Sequence, residues 1–418
     1  MAGRRRAPGP YHHRVADTAR GDHAANRTAD RAFVLLSAAV FLGAAGVGVL
    51  FPLLARIQTI HHLPTYALGL MSGASFFAAL GAQLGIGRLL DGDRARTVLL
   101  AGIALAAASL VWFAHAGNLA ALVASRALGG AGYGVVVPAS LREAALGATG
   151  EKRGRRLGIM SSAMVAGFTL GPLLGSALAA VGGVALPFEA VAGLLAVVLA
   201  VFLFNPSVRV PAPAGDAEGA IGAGHRGRMP WRPLVTVLLL GVASQLPFGL
   251  YDALWSRLLT DRGASGLFIG LSLTLFGIPF VLLAPFGGRI AERRGPLLAT
   301  AVGLLVADGF MASYGFVPSP VVIGILGVAE ACAQAVATPG GYAVTARAFP
   351  DDRAGTGQGW FSGAGTAAAG LAAVAGAPAY GAFGSGAVFA GGALISAVVV
   401  VCSLGVGAAT GIGVPAER

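Results

Sequence analysis

Long apolar runs alternate with short polar segments along almost the whole chain. Each long run approaches the roughly 20 residues that an α-helix needs to cross a bilayer. The twelve runs of this kind are 33–55, 66–87, 97–116, 119–140, 157–180, 184–204, 233–255, 266–287, 297–315, 319–345, 357–380 and 386–408. The pattern predicts an all-α integral membrane protein with twelve transmembrane helices.

The composition agrees with a membrane protein and excludes a soluble domain. The 418 residues are 56% hydrophobic and 11% charged, whereas soluble domains are about a quarter charged. The net charge of +11 could suggest nucleic acid, but the charges lie in short loops rather than on one face. Cys332 and Cys402 both fall in apolar runs, so neither a disulfide framework nor a metal site is expected.

The first 32 residues form a polar, arginine-rich segment ahead of the first apolar run. The run from Phe33 to Ala55 is longer than the apolar part of a secretory signal, which has about 7–15 residues, and is long enough to cross a bilayer. We therefore predict a tail at 1–32 and a first transmembrane helix that is not cleaved.

Basic residues are distributed unequally between the two sets of loops. Of the 29 Lys and Arg residues, the loops opposite the N-terminal side carry only Arg56, Arg257 and Arg262. Loops rich in Lys and Arg stay in the cytoplasm. The distribution predicts a multi-pass protein of the cell membrane with both termini cytoplasmic, including a short tail at 409–418.

A proline-, glycine- and arginine-rich segment at 205–232 is the longest internal loop. It divides the spans into an N-terminal six-helix half at 33–204 and a C-terminal six-helix half at 233–408. We expect the loop to lie on the cytoplasmic side, as the termini do.

Short motifs recur in both halves. Gly87–Asp91 after the second span is similar to Gly288–Glu292 after the eighth span, and Pro172–Gly175 in the fifth span is similar to Pro378–Gly381 in the eleventh. Internal repeats of this kind are typical of transporters built from two halves, with the binding site at their interface.

Glycines recur every four residues at Gly167, Gly171 and Gly175 in the fifth span; we call this row the glycine stripe. Residues four apart share one helix face, and small residues let a neighbouring helix approach closely in lipid. Pro172 removes a backbone hydrogen bond and kinks the helix. The stripe predicts a tight contact that changes during a conformational cycle, with plain helix packing as the alternative.

Ionisable residues inside the apolar runs are the main candidates for chemistry, because they are costly in a bilayer and are usually functional. They are Arg126 in the fourth span, Asp252 in the seventh, Asp308 in the ninth and Glu330 in the tenth. His115 and Glu189 lie near the outer ends of their spans, and we expect them to be interfacial.

Three segments resemble motifs of one membrane-protein family. The loop at 87–96 is similar to Gly-x-Leu-Ala-Asp-Arg-x-Gly-Arg-Arg, Arg126 with Gly130 to Arg-x-x-x-Gly, and 167–175 to Gly-x-x-x-Gly-Pro-x-x-Gly. On these motifs the chain is identified as a member of the major facilitator superfamily, and it resembles the twelve-span drug:proton antiporter branch. The resemblance implies two pseudo-symmetric six-helix halves.

The loop motif departs from the family pattern in the first half. Gly92 stands where the family usually has Arg, and Arg94 where it has Gly, so Asp91 and Asp93 both stay candidates for the acidic position. The resemblance implies that this acid links the halves in one conformation; a solvated charge cluster is the alternative. Over both loops, the candidate residues of this motif are Gly87, Asp91, Asp93, Arg94, Arg96, Gly288, Glu292, Arg293 and Gly295.

The resemblance also implies a central cavity lined by the first, fourth, seventh and tenth spans, which carry Arg126, Asp252 and Glu330. Glu330 lies about one helical turn from the repeat equivalent of Arg126, so these two side chains could pair across the cavity. Burial favours the neutral form of a carboxyl group, so Asp252 or Glu330 could carry a proton. Gln245 shares a helix face with Asp252, and Gln334 shares one with Glu330.

Structural roles are the alternatives for these polar residues. Arg126 could hold backbone carbonyls, Glu330 could make a structural hydrogen bond, and Asp252 could pair with Arg257 as a gate. Asp308 falls on a helix that is peripheral in the family, where a packing role is expected. The first span carries no acid, which keeps a uniporter or a differently coupled carrier open.

We predict a secondary transporter that exports a small amphipathic or hydrophobic compound by alternating access, driven by proton antiport. Its expected partners are that compound, protons and the bilayer; the chain is expected to be monomeric, without cofactor, metal or nucleic acid. A sugar or metabolite facilitator of the same fold is the alternative. A polytopic enzyme or sensor is disfavoured, because His61 and His62 have no acidic partner nearby and no soluble domain is evident.

Overall fold

The computed structural model describes residues 31–90, 94–146, 150–204, 231–349 and 353–408, and every regular element in these ranges is a helix. Eleven helical stretches are long and apolar enough to cross a membrane. They are α1 (Arg31–Ile60), α2 (Tyr66–Leu90), α3 (Ala95–Ala114), α4 (Leu119–Leu146), α5 (Gly150–Gly182), α6 (Leu186–Phe204), α7 (Trp231–Asp261), α8 (Gly266–Arg294), α9 (Pro296–Tyr314), α10 (Pro320–Ala348) and a final stretch Ala354–Ala408.

The final stretch contains two helices. Its 55 residues would extend about 80 Å as one helix, more than twice the roughly 30 Å hydrocarbon core. Gly384 breaks it with φ 79° and ψ 174°, a conformation that glycine adopts without a Cβ clash. The break separates α11 (354–383) from α12 (385–408), so the described residues hold the twelve helices that the sequence predicts. The predicted all-helical membrane fold is confirmed.

Glycines on α4 place this helix tightly between its neighbours in the N-terminal half. Gly130 and Gly134 lie against the α2 backbone at Ser75 and Ala79, and Gly132 lies against α3. A Cβ at Gly134 would stand 2.7 Å from the Ala79 carbonyl oxygen. The glycine of the Arg-x-x-x-Gly motif therefore sets the α2–α4 distance one turn from Arg126.

The glycine stripe of α5 packs on α1 within the same half. Gly167 contacts the backbone near Phe41, Gly171 lies against Gly48, and Gly175 lies against Val49. The stripe therefore makes a close contact with a helix of its own half, while a change of this contact during the cycle stays a prediction.

The C-terminal half makes the equivalent contact with glycines on the other helix. Gly241 and Gly249 of α7 lie against the α11 backbone at Phe361 and Ala369. Gly381, the repeat partner of Gly175, instead lies near Thr65 in the connection between α1 and α2. The glycine motif of α5 is repeated only weakly in α11, because the glycines that allow α7 and α11 to approach closely lie on α7.

The two halves meet toward one side of the membrane. We call the side that holds residues 31 and 408 the terminal face, and the other side the opposite face. Gly69 on α2 lies against Ala373 and Ala377 of α11, and Gly270 on α8 lies against Pro172 of α5. These contacts join α2 to α11 and α5 to α8 across the two halves.

The loop motifs lie at the terminal face. Asp91 and Asp93 lie outside the described residues, as do the tails at 1–30 and 409–418 and the loop at 205–230. Gly87 belongs to α2 and Arg94 is exposed before α3, while Arg96 donates from Nη2 to the Phe202 carbonyl at 2.7 Å. Arg96 thereby caps the last turn of α6, where carbonyl groups lack helical partners.

The second loop motif joins α8 to α9. Gly295 has φ 91°, which glycine tolerates and which allows the sharp turn between the two helices. Gly288 faces Pro339 of α10, whereas Glu292 and Arg293 are exposed.

Candidate functional site

A buried ion pair joins the two halves. Arg126 Nη2 on α4 lies 3.8 Å from Asp252 Oδ2 on α7, and the two side chains are 8% and 1% exposed. Ser72 on α2 lies beside Asp252. Among the described residues, the Ser72 hydroxyl, Arg126 Nε and both Asp252 oxygens make no hydrogen bond of standard geometry. Three helices thus hold a buried polar cluster that is not satisfied internally.

Glu330 belongs to a separate network inside the C-terminal half. Its carboxylate accepts hydrogen bonds from the hydroxyls of Tyr251 at 3.0 Å and Tyr314 at 2.5 Å. The expected pairing of Arg126 with Glu330 is therefore wrong. Tyr251 and Asp252 are consecutive on α7 and point about 100° apart, so α7 directs one toward Glu330 and the other toward Arg126.

Aromatic rings from both halves pack around Phe248, which lies one helical turn from Asp252 on α7. Phe248 of α7 makes edge contacts with Phe51, Phe76 and Phe168, at centroid distances of 5.9, 6.0 and 6.5 Å. Tyr133 of α4 packs on Phe168 at 5.8 Å. Edge-to-face clusters of this kind bury large apolar areas, so the surroundings of the pair suit an apolar solute.

The other polar residues predicted from the sequence lie at different places in the structure. Gln334 is half-buried and lies beside Glu330, whereas Gln245 packs against Gly365 of α11. Asp308 is buried on α9 beside Ser396, and among the described residues its Oδ2 makes no hydrogen bond of standard geometry. His115 and Glu189 form an exposed pair at 3.3 Å, at the helix ends where the sequence places them.

Polar contacts close the opposite face above the ion pair. The Ala55 amide donates to Ser256 Oγ at 3.1 Å, and Arg257 Nη1 donates to Gln58 Oε1 at 3.1 Å. Arg257 is also held by Asp261 at 3.0 Å, one turn along α7. The expected Asp252–Arg257 gate pair is not formed, because each of these residues has another charged partner. We call the Ala55–Ser256 and Gln58–Arg257 contacts the seal.

Gln58→Leu is expected to weaken the seal. Arg257 would lose its partner on the other half but keep Asp261, and a hydrogen bond to a charged group contributes roughly 1.5–3 kcal/mol. The opposite face should therefore open more often, and a maleimide should label Ala55→Cys about tenfold faster. Labelling is measured on purified protein whose exposed Cys332 and Cys402 have been replaced by Ala.

Gln58→Glu is the matched control for the seal. A carboxylate at this position would pair with Arg257 and strengthen the contact, so labelling should slow. Equal labelling rates in Gln58→Leu, Gln58→Glu and the parent would show that Gln58 does not hold the opposite face closed.

Several residues of the site are missed by reasoning from sequence. Ser72 is an ordinary small residue in its run, and Tyr314 stands at a helix end. Glu143 is buried at the terminal-face end of α4, 3.3 Å from Arg142, although adjacent opposite charges near a loop suggest a solvated pair. Among the described residues, no group of three or more His, Cys, Asp or Glu side chains is placed to hold a metal ion.

The fold and the buried centre define a multi-pass membrane protein of two six-helix halves with a polar site between them. A family model described as Major Facilitator Superfamily matches residues 36–256 and 237–411. The chain therefore belongs to the major facilitator superfamily.

Two curated relatives are multidrug-resistance proteins. The chain is 26% identical over 180 residues to Multidrug resistance protein 2 of Bacillus subtilis (strain 168), which covers 43% of this chain and 45% of that protein. It is 28% identical over 248 residues to the Multi-drug resistance efflux pump PmrA homolog of Lactococcus lactis subsp. lactis (strain IL1403), covering 57% and 60%. The matches thus span about half the length of these relatives.

A solved structure shares the fold. The crystal structure of peptide transporter POT in complex with sulfate superposes with a TM-score of 0.74 over 92% of this chain and 95% of that chain, at 15% identity. The efflux pump and the peptide transporter are transporters rather than enzymes, as the sequence predicts for this chain.

Proposed function

We propose that the chain exports a small amphipathic or hydrophobic compound across the cell membrane in exchange for protons, by alternating access. The ion pair between Arg126 and Asp252 is the observation that carries this proposal, because its two members belong to different halves. A pair that joins the halves is formed only while the opposite face is closed.

The proton would be carried by Asp252. With the opposite face closed, Arg126 favours the ionised carboxylate, and a proton leaves toward the terminal face. When the opposite face opens, the halves part and Asp252 loses the counter-charge of Arg126. The protonated, neutral form of Asp252 then becomes favourable. On the orientation predicted from the basic loops, the terminal face is cytoplasmic, so protons would enter as the compound leaves.

The compound would bind between the halves, against the aromatic cluster around Phe248. Phe51, Phe76, Phe168 and Phe248 offer ring surface from both halves, and the Arg126–Asp252 pair supplies polar groups one helical turn from Phe248 on α7. A mostly apolar lining with few polar groups suits an amphipathic solute better than a sugar. The multidrug-resistance names of the two curated relatives agree with this substrate class.

Collapse of the proton gradient is expected to stop export. Purified protein is first screened for thermal stabilisation by a panel of fluorescent amphipathic dyes. Export of the best dye is then followed in proteoliposomes with an imposed pH gradient, with and without a protonophore. Export that falls to the protein-free rate with the protonophore supports antiport. Equal export with and without the gradient would identify a facilitator.

A further inference from the structure

A small cavity lies behind Arg126 inside the N-terminal half. It has a volume of about 30 Å³ and is bounded by α1, α3, α4 and α6. Its polar lining consists of Arg126, Ser109, Ser125 and Tyr133, and the rest is glycine and apolar side chains. This volume accepts one or two particles of water size, which excludes the exported compound.

The donors at this cavity are those of an anion site. Arg126 is buried, and its Nε makes no hydrogen bond within the part of the chain that the structure describes. Ser109 and Ser125 donate to the carbonyls of Ala106 and Leu122 at 2.7 and 2.9 Å. Both acceptors are backbone carbonyls of the preceding helical turn. A hydroxyl hydrogen rotates freely about its C–O bond, so both serines can instead donate to an anion in the cavity. None of the described residues that line the cavity carries a carboxylate.

Among the described residues, Asp252 of α7 is the one acidic partner of Arg126, at 3.8 Å on the side away from the cavity. Tyr133 is the other titratable group in the lining, and α1, α3 and α6 contribute none. When Asp252 is neutral or has moved away, a buried guanidinium is left without counter-charge, which is strongly unfavourable. An anion in the cavity would restore neutrality.

We propose that this cavity binds a monatomic inorganic anion such as chloride, which replaces Asp252 as the counter-charge of Arg126. The proposal rests on the proposed function in one respect, the change of charge at Asp252 during the cycle. Chloride and the Asp252 carboxylate would then alternate as partners of the same guanidinium.

Asp252→Asn imitates the neutral carboxyl and is the test variant. The unfolding temperature of purified protein is measured at constant ionic strength while sodium gluconate is replaced by sodium chloride, since a ligand of the folded state raises this temperature. We expect apparent chloride affinity in Asp252→Asn to exceed that of the parent roughly tenfold or more, because the competing negative charge is gone. Adding Ser125→Ala should weaken that affinity about tenfold.

Asp308→Asn is the matched control, since it neutralises a buried acid that does not line the cavity. It should respond to chloride as the parent does. If Asp252→Asn does not fold, the parent is titrated with chloride at pH 5 and pH 8, with Arg126→Gln as the control. Chloride binding by the parent that is tighter at pH 5 than at pH 8, and that is lost in Arg126→Gln, supports the site.

Equal chloride responses in Asp252→Asn and Asp308→Asn would overturn the anion site and indicate that the cavity holds water instead. In the pH experiment, equal chloride affinity of the parent at pH 5 and pH 8 would also overturn it. These measurements use neither the exported compound nor a gradient. A failure of the anion site is therefore distinguishable from a failure of proton-driven export, which is measured separately in proteoliposomes.

Discussion

Asp252→Asn is expected to reduce gradient-driven export to the rate of protein-free liposomes. The amide cannot take up or release a proton, so the conformational cycle would lose its coupling to the pH gradient. Binding of the compound should persist, because the aromatic rings around Phe248 are unchanged. Exchange of labelled for unlabelled compound at equal pH on both sides should therefore continue, and it is measured in the same proteoliposomes.

The same substitution should lower the free energy of unfolding by about 3 kcal/mol, because it leaves Arg126 as an unpaired buried charge. The double variant Arg126→Gln/Asp252→Asn should recover most of this loss, since it removes both partners of the pair. It should still lack gradient-driven export. Thermal unfolding in detergent, read beside the transport assay, separates the stability of the pair from its role in coupling.

Asp308→Asn serves as the control for a buried acid outside the ion pair. Asp308 lies on α9 with Ser396 beside it, so gradient-driven export should continue in this variant. Gradient-driven export by Asp252→Asn at the parental rate would rule out Asp252 as the proton carrier. Glu330, held by two tyrosine hydroxyls, would then be the next residue to substitute.

Gly171→Leu is expected to prevent stable packing of α5 on α1. A Cβ at this position would stand 2.9 Å from the Gly48 Cα and 3.0 Å from the Ala45 carbonyl oxygen. Both are backbone atoms, so no side chain can rotate away, and we expect a loss of at least about 3 kcal/mol from overpacking. The yield of monodisperse protein and its unfolding temperature should fall, and export should fall with them.

Gly158→Leu is the matched control on the same helix. No atom lies within 4 Å of a Cβ built at Gly158, and the residue is exposed, so both yield and unfolding temperature should stay at the parental value. A Gly171→Leu variant that is fully stable but does not export would show that the glycine stripe must separate from α1 during the cycle. Normal stability together with normal export would contradict the tight contact itself.

The fold could be predicted from sequence because its determinants are local. A lipid-embedded helix needs about 20 apolar residues and satisfies its backbone hydrogen bonds within itself, so each span is visible without knowledge of its neighbours. The eleventh and twelfth spans follow the same rule, even though the helical stretch Ala354–Ala408 is continuous except at Gly384. Helix ends differ from the predicted ends by a few residues, chiefly where helices such as α5 extend beyond the apolar run.

The candidate site could be predicted only as a set of residues. Buried charge is rare in a span, which singles out Arg126, Asp252 and Glu330 without any structure. Their partners could not be predicted, because pairing depends on how each helix is rotated about its axis. Tyr251 and Asp252 are consecutive on α7 and differ by about 100° around the helix axis. This angle directs Tyr251 to Glu330 and Asp252 to Arg126.

The sequence by itself determined the twelve spans, the ionisable residues within them and the glycine stripe, because hydropathy and residue size act at each position separately. Only the tertiary structure decided that the stripe packs on α1 of its own half, that Gln58 and Arg257 meet across the halves, and that Arg126 faces Asp252 on one side and a small cavity on the other. These contacts join residues far apart in the chain. They depend on which helices are neighbours and on which face each helix turns toward the other, and neither is encoded in a local pattern.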